Sequence, residues 1–160
     1  MTPPKNKLFI IIDSHALVHR AYHAIPSLTT QQGEMVNAVY GFTAMLLRVL
    51  KDFEPHYFVA TFDEHAPTFR KEMFEDYKAT RRKAPDDLHP QVPLVKQVLS
   101  AFRIPVFSKA GFEADDLIGT ISKQVEDQTK DVDVIIVSGD LDTLQLVSTC
   151  LLYTSPSPRD

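Results

Sequence analysis

Leu8-Phe9-Ile10-Ile11-Ile12-Asp13 is the stretch that decides how this chain folds. An unbroken β-favouring apolar run, without the alternation of a half-solvated strand, reads as a strand buried on both faces, and such strands belong to parallel sheets covered by helices. The run ends on a carboxylate. The same arrangement returns further along: Tyr57-Phe58-Val59-Ala60-Thr61-Phe62 ends at Asp63, and the apolar run 132–137 leads through Ser138-Gly139 to Asp140 and Asp142. A shorter piece, Ile104-Pro105-Val106-Phe107, precedes Gly111-Phe112-Glu113-Ala114-Asp115-Asp116, where three carboxylates gather at the first turn of an expected helix.

Helical spacing fills the intervals. A helix is expected over residues 14–23, and a loop over 26–34. Val39, Phe42, Leu46, Leu47, Leu50 and Phe53 keep a 3.6-residue period, which predicts an amphipathic helix over 37–53 with Asn37 as its cap, stopped by Pro55. Further helices are expected over 90–102, with Val92, Val95, Leu99 and Phe102 inward, and over 113–128, with Leu117, Ile118, Ile121 and Val125 inward. Strand and helix alternate throughout, so the expected class is α/β, a mostly parallel central sheet with helices on both faces.

In such a sheet the C-terminal ends of the strands share one edge, and ligand chemistry collects in the crevice beyond it. Asp13, Asp63, Glu113, Asp115, Asp116, Asp140 and Asp142 would then converge. Two carboxylates about 5 Å apart repel by roughly 3 kcal/mol at an effective dielectric of about 20, so the set calls for cations among it. Oxygen ligands without His or Cys favour Mg²⁺ or Mn²⁺ over zinc. Acids that cap strands and point apart into solvent are the plain alternative.

Composition narrows the class. The chain of 160 residues is 44% hydrophobic and 24% charged, an ordinary globular balance for one domain. No apolar run approaches the roughly 20 residues of a membrane helix, and the lysines before residue 8 lack a signal peptide's apolar region, so a cytoplasmic location is expected. A single cysteine, Cys150, leaves no internal disulfide and no Cys-based zinc site. The net charge of −4 argues against nucleic acid at first sight. Its distribution argues otherwise: between positions 70 and 83, Arg70, Lys71, Lys78, Arg81, Arg82 and Lys83 outnumber Glu72, Glu75 and Asp76. On a helix Lys78 shares a face with Arg81 and Arg82, beside Tyr77, a combination suited to phosphates and an unstacked base. His15, His19 and His23 recur every four residues, a possible zinc face, but no carboxylate or Cys joins them at ligand spacing, so they read as exposed histidines of a surface helix.

Together these pieces carry a family resemblance. Ile11-Ile12-Asp13 with Arg20-Ala21-Tyr22, Thr61-Phe62-Asp63, Tyr77-Lys78-Ala79-Thr80-Arg81, Gly111 through Thr120, and Ser138-Gly139-Asp140-Leu141-Asp142 through Val147 resemble, in order and spacing, the N-terminal 5′–3′ exonuclease domain of bacterial DNA polymerases I, within the flap endonuclease superfamily. The resemblance covers residues 7–148. It implies a PIN-like sheet, a helical arch over 68–90, and a nuclease that uses two divalent cations to remove 5′ flaps and RNA primers from DNA. By matching position it implies metal ligation by the seven acids, phosphate contacts from Lys78, Arg81 and Arg20, further DNA contact from Arg82, and base stacking by Tyr77. DNA with a 5′ flap, nick or single-stranded 5′ end would be the partner, with a polymerase following in the native chain.

Departures from the family pattern bear on activity. Ser14 stands where the family often has glycine. The family's domain continues with two further aspartates and a glycine-rich helix-turn-helix-type motif, so a fragment that binds metal and DNA yet cuts weakly is an alternative expectation. Residues 149–160 read as a non-native tail outside the fold. Val134-Ile135-Ile136-Val137-Ser138-Gly139-Asp140-Leu141-Asp142-Thr143 also resembles the opening of haloacid dehalogenase-like phosphatases, a reading that leaves the upstream acids unexplained.

Overall fold

The structure is a computed structural model that describes residues 6–64, 84–146 and 151–154. Five strands form one sheet in the order β3-β2-β1-β4-β5: β1 (Lys7–Asp13), β2 (Tyr57–Thr61), β3 (Val106–Phe107), β4 (Val132–Val137) and β5 (Leu151–Thr154). Every pairing is parallel. Among the described residues four α-helices connect them: α1 (Ser14–Ala24), α2 (Asn37–Phe53), α3 (Gln91–Ala101) and α4 (Ala114–Gln128). The expected α/β class is what the chain adopts.

The two faces of β1 explain the layers. Leu8, Ile10 and Ile12 face a core built with Leu17, Val18 and Ala21 of α1, Phe42, Met45 and Leu46 of α2, and Val95 and Leu99 of α3. Phe9 and Ile11 face the other side and pack with Val59, Val134, Ile136 and Ile118 of α4. Alternate residues of one apolar run thus feed two cores, which is why the run shows no polar alternation. Fully burying each such side chain contributes roughly 1.5–3 kcal/mol.

Three features differ from expectation. The third strand keeps only Val106–Phe107, because a proline at position 105 has no N–H for a ladder. Asn37 is not the cap of α2; it lies inside the first turn, and its Nδ2 donates to the carbonyls of Tyr22 and Ile25 at 3.0 and 3.2 Å. Helix α2 ends at Phe53 as expected, its C-cap Glu54 in the left-handed region, φ +43°, directly before Pro55. The third concerns the tail: Leu151–Thr154, expected to lie outside the fold, runs as a parallel edge strand beside β4, with Val134 opposite Leu151 and Val137 opposite Thr154. Leu-Leu-Tyr-Thr is strand-compatible and meets an otherwise unpaired ladder edge.

A buried polar hub ties α1, α2 and α3. Gln91, fully buried, accepts the backbone N–H groups of Ala38 and Val39 at 2.8 and 3.4 Å and donates to Asn37 Oδ1 and the Asp87 carbonyl. Tyr22 donates its hydroxyl to Asp87 at 2.6 Å. The hub therefore fixes the 84–90 approach to α3 against the end of α1. Gly41 serves the same packing: a Cβ there would stand 2.9 Å from the Ala21 Cβ, so α1 and α2 cross too closely for a side chain.

Candidate active site

Chain reversal places the site. From β1 the chain moves outward to β2 and β3, then returns across the sheet to β4. Connections leave in opposite directions from the C-terminal ends of β1 and β4, opening a crevice there. A cavity of about 50 Å³ lies in it, lined by Asp13, His15, Ala16, His19, Asp63, Glu113, Ala114, Asp115 and Asp140. Five of the seven expected acids, drawn from four separate segments, meet in this one pocket.

Each carboxylate is seated by local structure. Asp13 ends β1 and caps α1, accepting the Ala16 N–H at 3.0 Å, and its other oxygen accepts the Ser138 hydroxyl at 2.8 Å. Ser138 also accepts the Asp140 N–H at 3.0 Å, so this wholly buried hydroxyl couples the ends of β1 and β4. Asp63, two residues past β2, accepts the Ala114 N–H at 2.7 Å and so docks the start of α4 onto the sheet. Glu113 is the N-cap residue of α4, and Asp115 lies in the first turn.

The remaining two acids are placed differently. The Asp116 carboxylate accepts the Glu113 N–H at 3.0 Å, part of the cap of α4, and Asp116 is absent from the pocket wall. Position N3 of a helix points back at its own N-terminus, so a carboxylate there satisfies the helix first. Asp142 is exposed in the 3₁₀ turn Leu141–Leu146; its N–H donates to Asp140 Oδ1 at 3.0 Å, and it too does not line the pocket. Arg20 is half-buried on α1, its stem running past Gly139, where a Cβ would stand 3.5 Å from the Arg20 Cδ. Tyr77, Lys78, Arg81 and Arg82 lie outside the described residues.

Two residues join the site that sequence reasoning set aside. His15 and His19 line the pocket, with ring centroids 4.9 Å apart, and His15 Nε2 stands 3.9 Å from Asp63 Oδ2. They were expected on an open helix surface. The fold supplies the missing carboxylate, Asp63, from just beyond β2, nearly fifty positions away, which periodicity along α1 cannot reveal. His23, by contrast, is exposed and sits edge-on to Tyr22. Ser138 was visible in the Ser-Gly-Asp sequence, but only the tertiary structure gives it a task.

Crowding raises the proton affinity of the site. Asp13 is pushed up to about 6, first by burial and then by Asp63 and Asp140, against the opposing hydrogen bonds from Ala16 and Ser138. Asp115 is likewise raised to about 6, by burial and by the charges of Asp13, Asp140, Asp63 and Glu113. Neighbouring negative charge and lost hydration both disfavour the ionised form, and a bound cation would relieve both. Among the described residues no three of the His, Cys, Asp and Glu side chains are already closed around a single ion position. The donor chemistry suits a hard divalent cation, and the acids stand apart around its pocket.

Comparison with known proteins agrees with this architecture. The chain is 44% identical to the DNA polymerase I of Mycobacterium leprae, over 93% of its own length and 16% of the polymerase. It is 43% identical to that of Geobacillus stearothermophilus, over 90% of its length and 16% of the relative. The chain thus spans about a sixth of these relatives. Among solved structures, the 5′-exonuclease of bacteriophage T5 with bound zinc superposes with a TM-score of 0.67 at 20% identity, covering 93% of this chain and 55% of that one. The phage's flap endonuclease in a pseudo-enzyme–product complex with DNA and metal ions gives 0.66 at 19% identity, with 93% and 55% covered. A family model for the 5′–3′ exonuclease N-terminal resolvase-like domain matches residues 8–158, and the chain belongs to that family.

Proposed function

We propose that the pocket is the metal-dependent centre of a structure-specific 5′–3′ nuclease that hydrolyses phosphodiester bonds at 5′ flaps, nicks and single-stranded 5′ ends of DNA, RNA primers included. The single observation that carries the reading is the convergence of Asp13, Asp63, Glu113, Asp115 and Asp140 from four segments on one pocket at the sheet's switch point. These five would hold Mg²⁺ or Mn²⁺, two ions in a complete site, with Asp116 and Asp142 contributing from farther out. A divalent cation supplies hydroxide near neutral pH and stabilises charge on a leaving oxygen. The chain's own residues set the stage. Ser138 holds Asp13 in its rotamer, Asp63 keeps the start of α4 against the sheet, and Arg20 stands at the end of β4 as a phosphate contact. The basic stretch 68–90 would be the arch that brings the substrate in, with Lys78 and Arg81 on the scissile phosphate, Arg82 on the backbone and Tyr77 against a base.

The test is incubation of the purified chain with a labelled 5′-flap duplex and Mg²⁺ or Mn²⁺. Release of a short 5′ fragment by the chain, lost in Asp115→Asn and slowed in Lys78→Ala, supports the reading. Absence of both cleavage and divalent-cation-dependent flap binding overturns it. Flap binding without cleavage identifies a chain that holds metal and DNA but cuts weakly. Residues 7–148 form the nuclease unit in this proposal. Among the described residues no helix is long and apolar enough to cross a membrane.

A further inference from the structure

The acidic pocket has two walls of different chemistry. One is all carboxylate. The other is the face of α1 that presents His15 and His19, and His15 Nε2 approaches Asp63 Oδ2 across the pocket at 3.9 Å. That separation is too long for a hydrogen bond. Two ligands each about 2.0–2.2 Å from one tetrahedral cation stand roughly 3.3–3.6 Å apart, so the pair is a few tenths of an ångström wider than a closed site and would draw together on an ion. Both side chains are partly exposed, His15 at 24% and Asp63 at 29%, so the space between them is reachable from solvent. The other oxygen of Asp63 is held by the Ala114 N–H, which orients the carboxylate toward His15. The His19 ring, tilted 42° against it with centroids 4.9 Å apart, packs on the His15 imidazole in turn.

The geometry points to a mixed nitrogen–oxygen cation position between His15 and Asp63, selective for imidazole-preferring transition ions such as Zn²⁺ or Co²⁺ over Mg²⁺. It deepens the reading of the pocket as a divalent-cation site and rests on it. Imidazole suits Zn²⁺ and its first-row neighbours, whereas Mg²⁺ prefers oxygen and retains its water. The consequence is a pocket whose carboxylates accept Mg²⁺ while its His15 wall discriminates among metals. The acid wall and the histidine wall are therefore separable by mutation.

The experiment uses the whole chain, prepared free of metal and titrated separately with Co²⁺, Zn²⁺ and Mg²⁺ by calorimetry, with visible absorption as a second readout for Co²⁺. His15→Ala should weaken Co²⁺ and Zn²⁺ binding by at least about tenfold, a scale on which even outer-shell changes act, while Mg²⁺ affinity stays within about twofold. The Co²⁺ absorption band should change shape as a nitrogen ligand is lost. His15→Gln, which keeps the bulk and a polar tip, should reproduce the Co²⁺ result and guards against misfolding of the alanine variant. Unchanged Co²⁺ and Zn²⁺ binding, an equal loss for all three ions, or tighter binding of all three would overturn the inference and leave His15 as a simple charge partner of Asp63. Absence of binding by the unaltered chain for any of the ions would overturn the cation-site reading beneath it.

Discussion

Ser138 donates its hydroxyl to the carboxylate of Asp13 at 2.8 Å, joining two strand ends that are 125 positions apart in the chain. The same oxygen accepts the Asp140 N–H, so one buried atom sets the distance between two acids of the pocket. Ser138→Ala should cost about 1–3 kcal/mol, the penalty for leaving buried polar groups unmatched, and should weaken divalent-cation binding. Urea unfolding and calorimetric Mg²⁺ titration check both. A variant as stable as the parent with undiminished cation affinity would show that the bridge is incidental.

Proton affinity in the metal-free pocket gives a stability profile of unusual sign. Asp13 and Asp115 have folded values near 6 against 3.8 for the free side chain. A carboxyl with a raised folded value binds its proton more tightly when folded, so between about pH 4 and pH 6 these two groups lower stability as pH rises, and the loss is complete above that window. For the buried Asp13 a shift of this size corresponds to about 3 kcal/mol; the less buried, coupled Asp115 adds less. Urea midpoints without divalent cation should therefore fall across the window, and Asp13→Asn or added Mg²⁺ should flatten the profile. A midpoint that climbs with pH in the parent and is unaltered in Asp13→Asn would refute this.

Gly41 marks where α1 and α2 come closest. A methyl group there meets Ala21 Cβ and Ile25 Cγ1, each at 2.9 Å. Gly41→Ala gains up to about 1 kcal/mol of helix propensity but overpacks the crossing by roughly 1–3 kcal/mol. The expected net result is a lower melting temperature, read by calorimetry; a rise would mean the helices separate without cost.

Gln91 satisfies four partners from a fully buried position. Gln91→Leu keeps the bulk and removes every one of those bonds, stranding the N–H of Ala38 and the side chain of Asn37. A loss of about 2–4 kcal/mol is expected, more than a single neutral hydrogen bond contributes, because the orphaned groups remain buried. Denaturant titration with an unchanged slope would confirm a purely energetic effect, whereas a destabilisation under about 0.5 kcal/mol would show that water replaces the amide.

The sequence by itself determined the sheet and most of the pocket. An apolar run that feeds two cores can only be a covered parallel strand, and parallel strands deliver whatever follows them to one edge; Asp13, Asp63 and Asp140 were legible for that reason. Glu113 and Asp115 were legible because they open a helix after a short strand. What the tertiary structure alone decided is how those groups divide their work. Asp116 turns back to cap α4 while Asp115 faces the cavity, since adjacent helix positions point about 100° apart. Asp142 stays in solvent because the chain tightens into a 3₁₀ turn after Asp140. His15 enters the site because α1, capped by Asp13, lies beside the end of β2, a neighbour supplied by strand pairing and not by chain order. Periodicity reports which face of an element is buried, and only packing reports what waits opposite the face that is not.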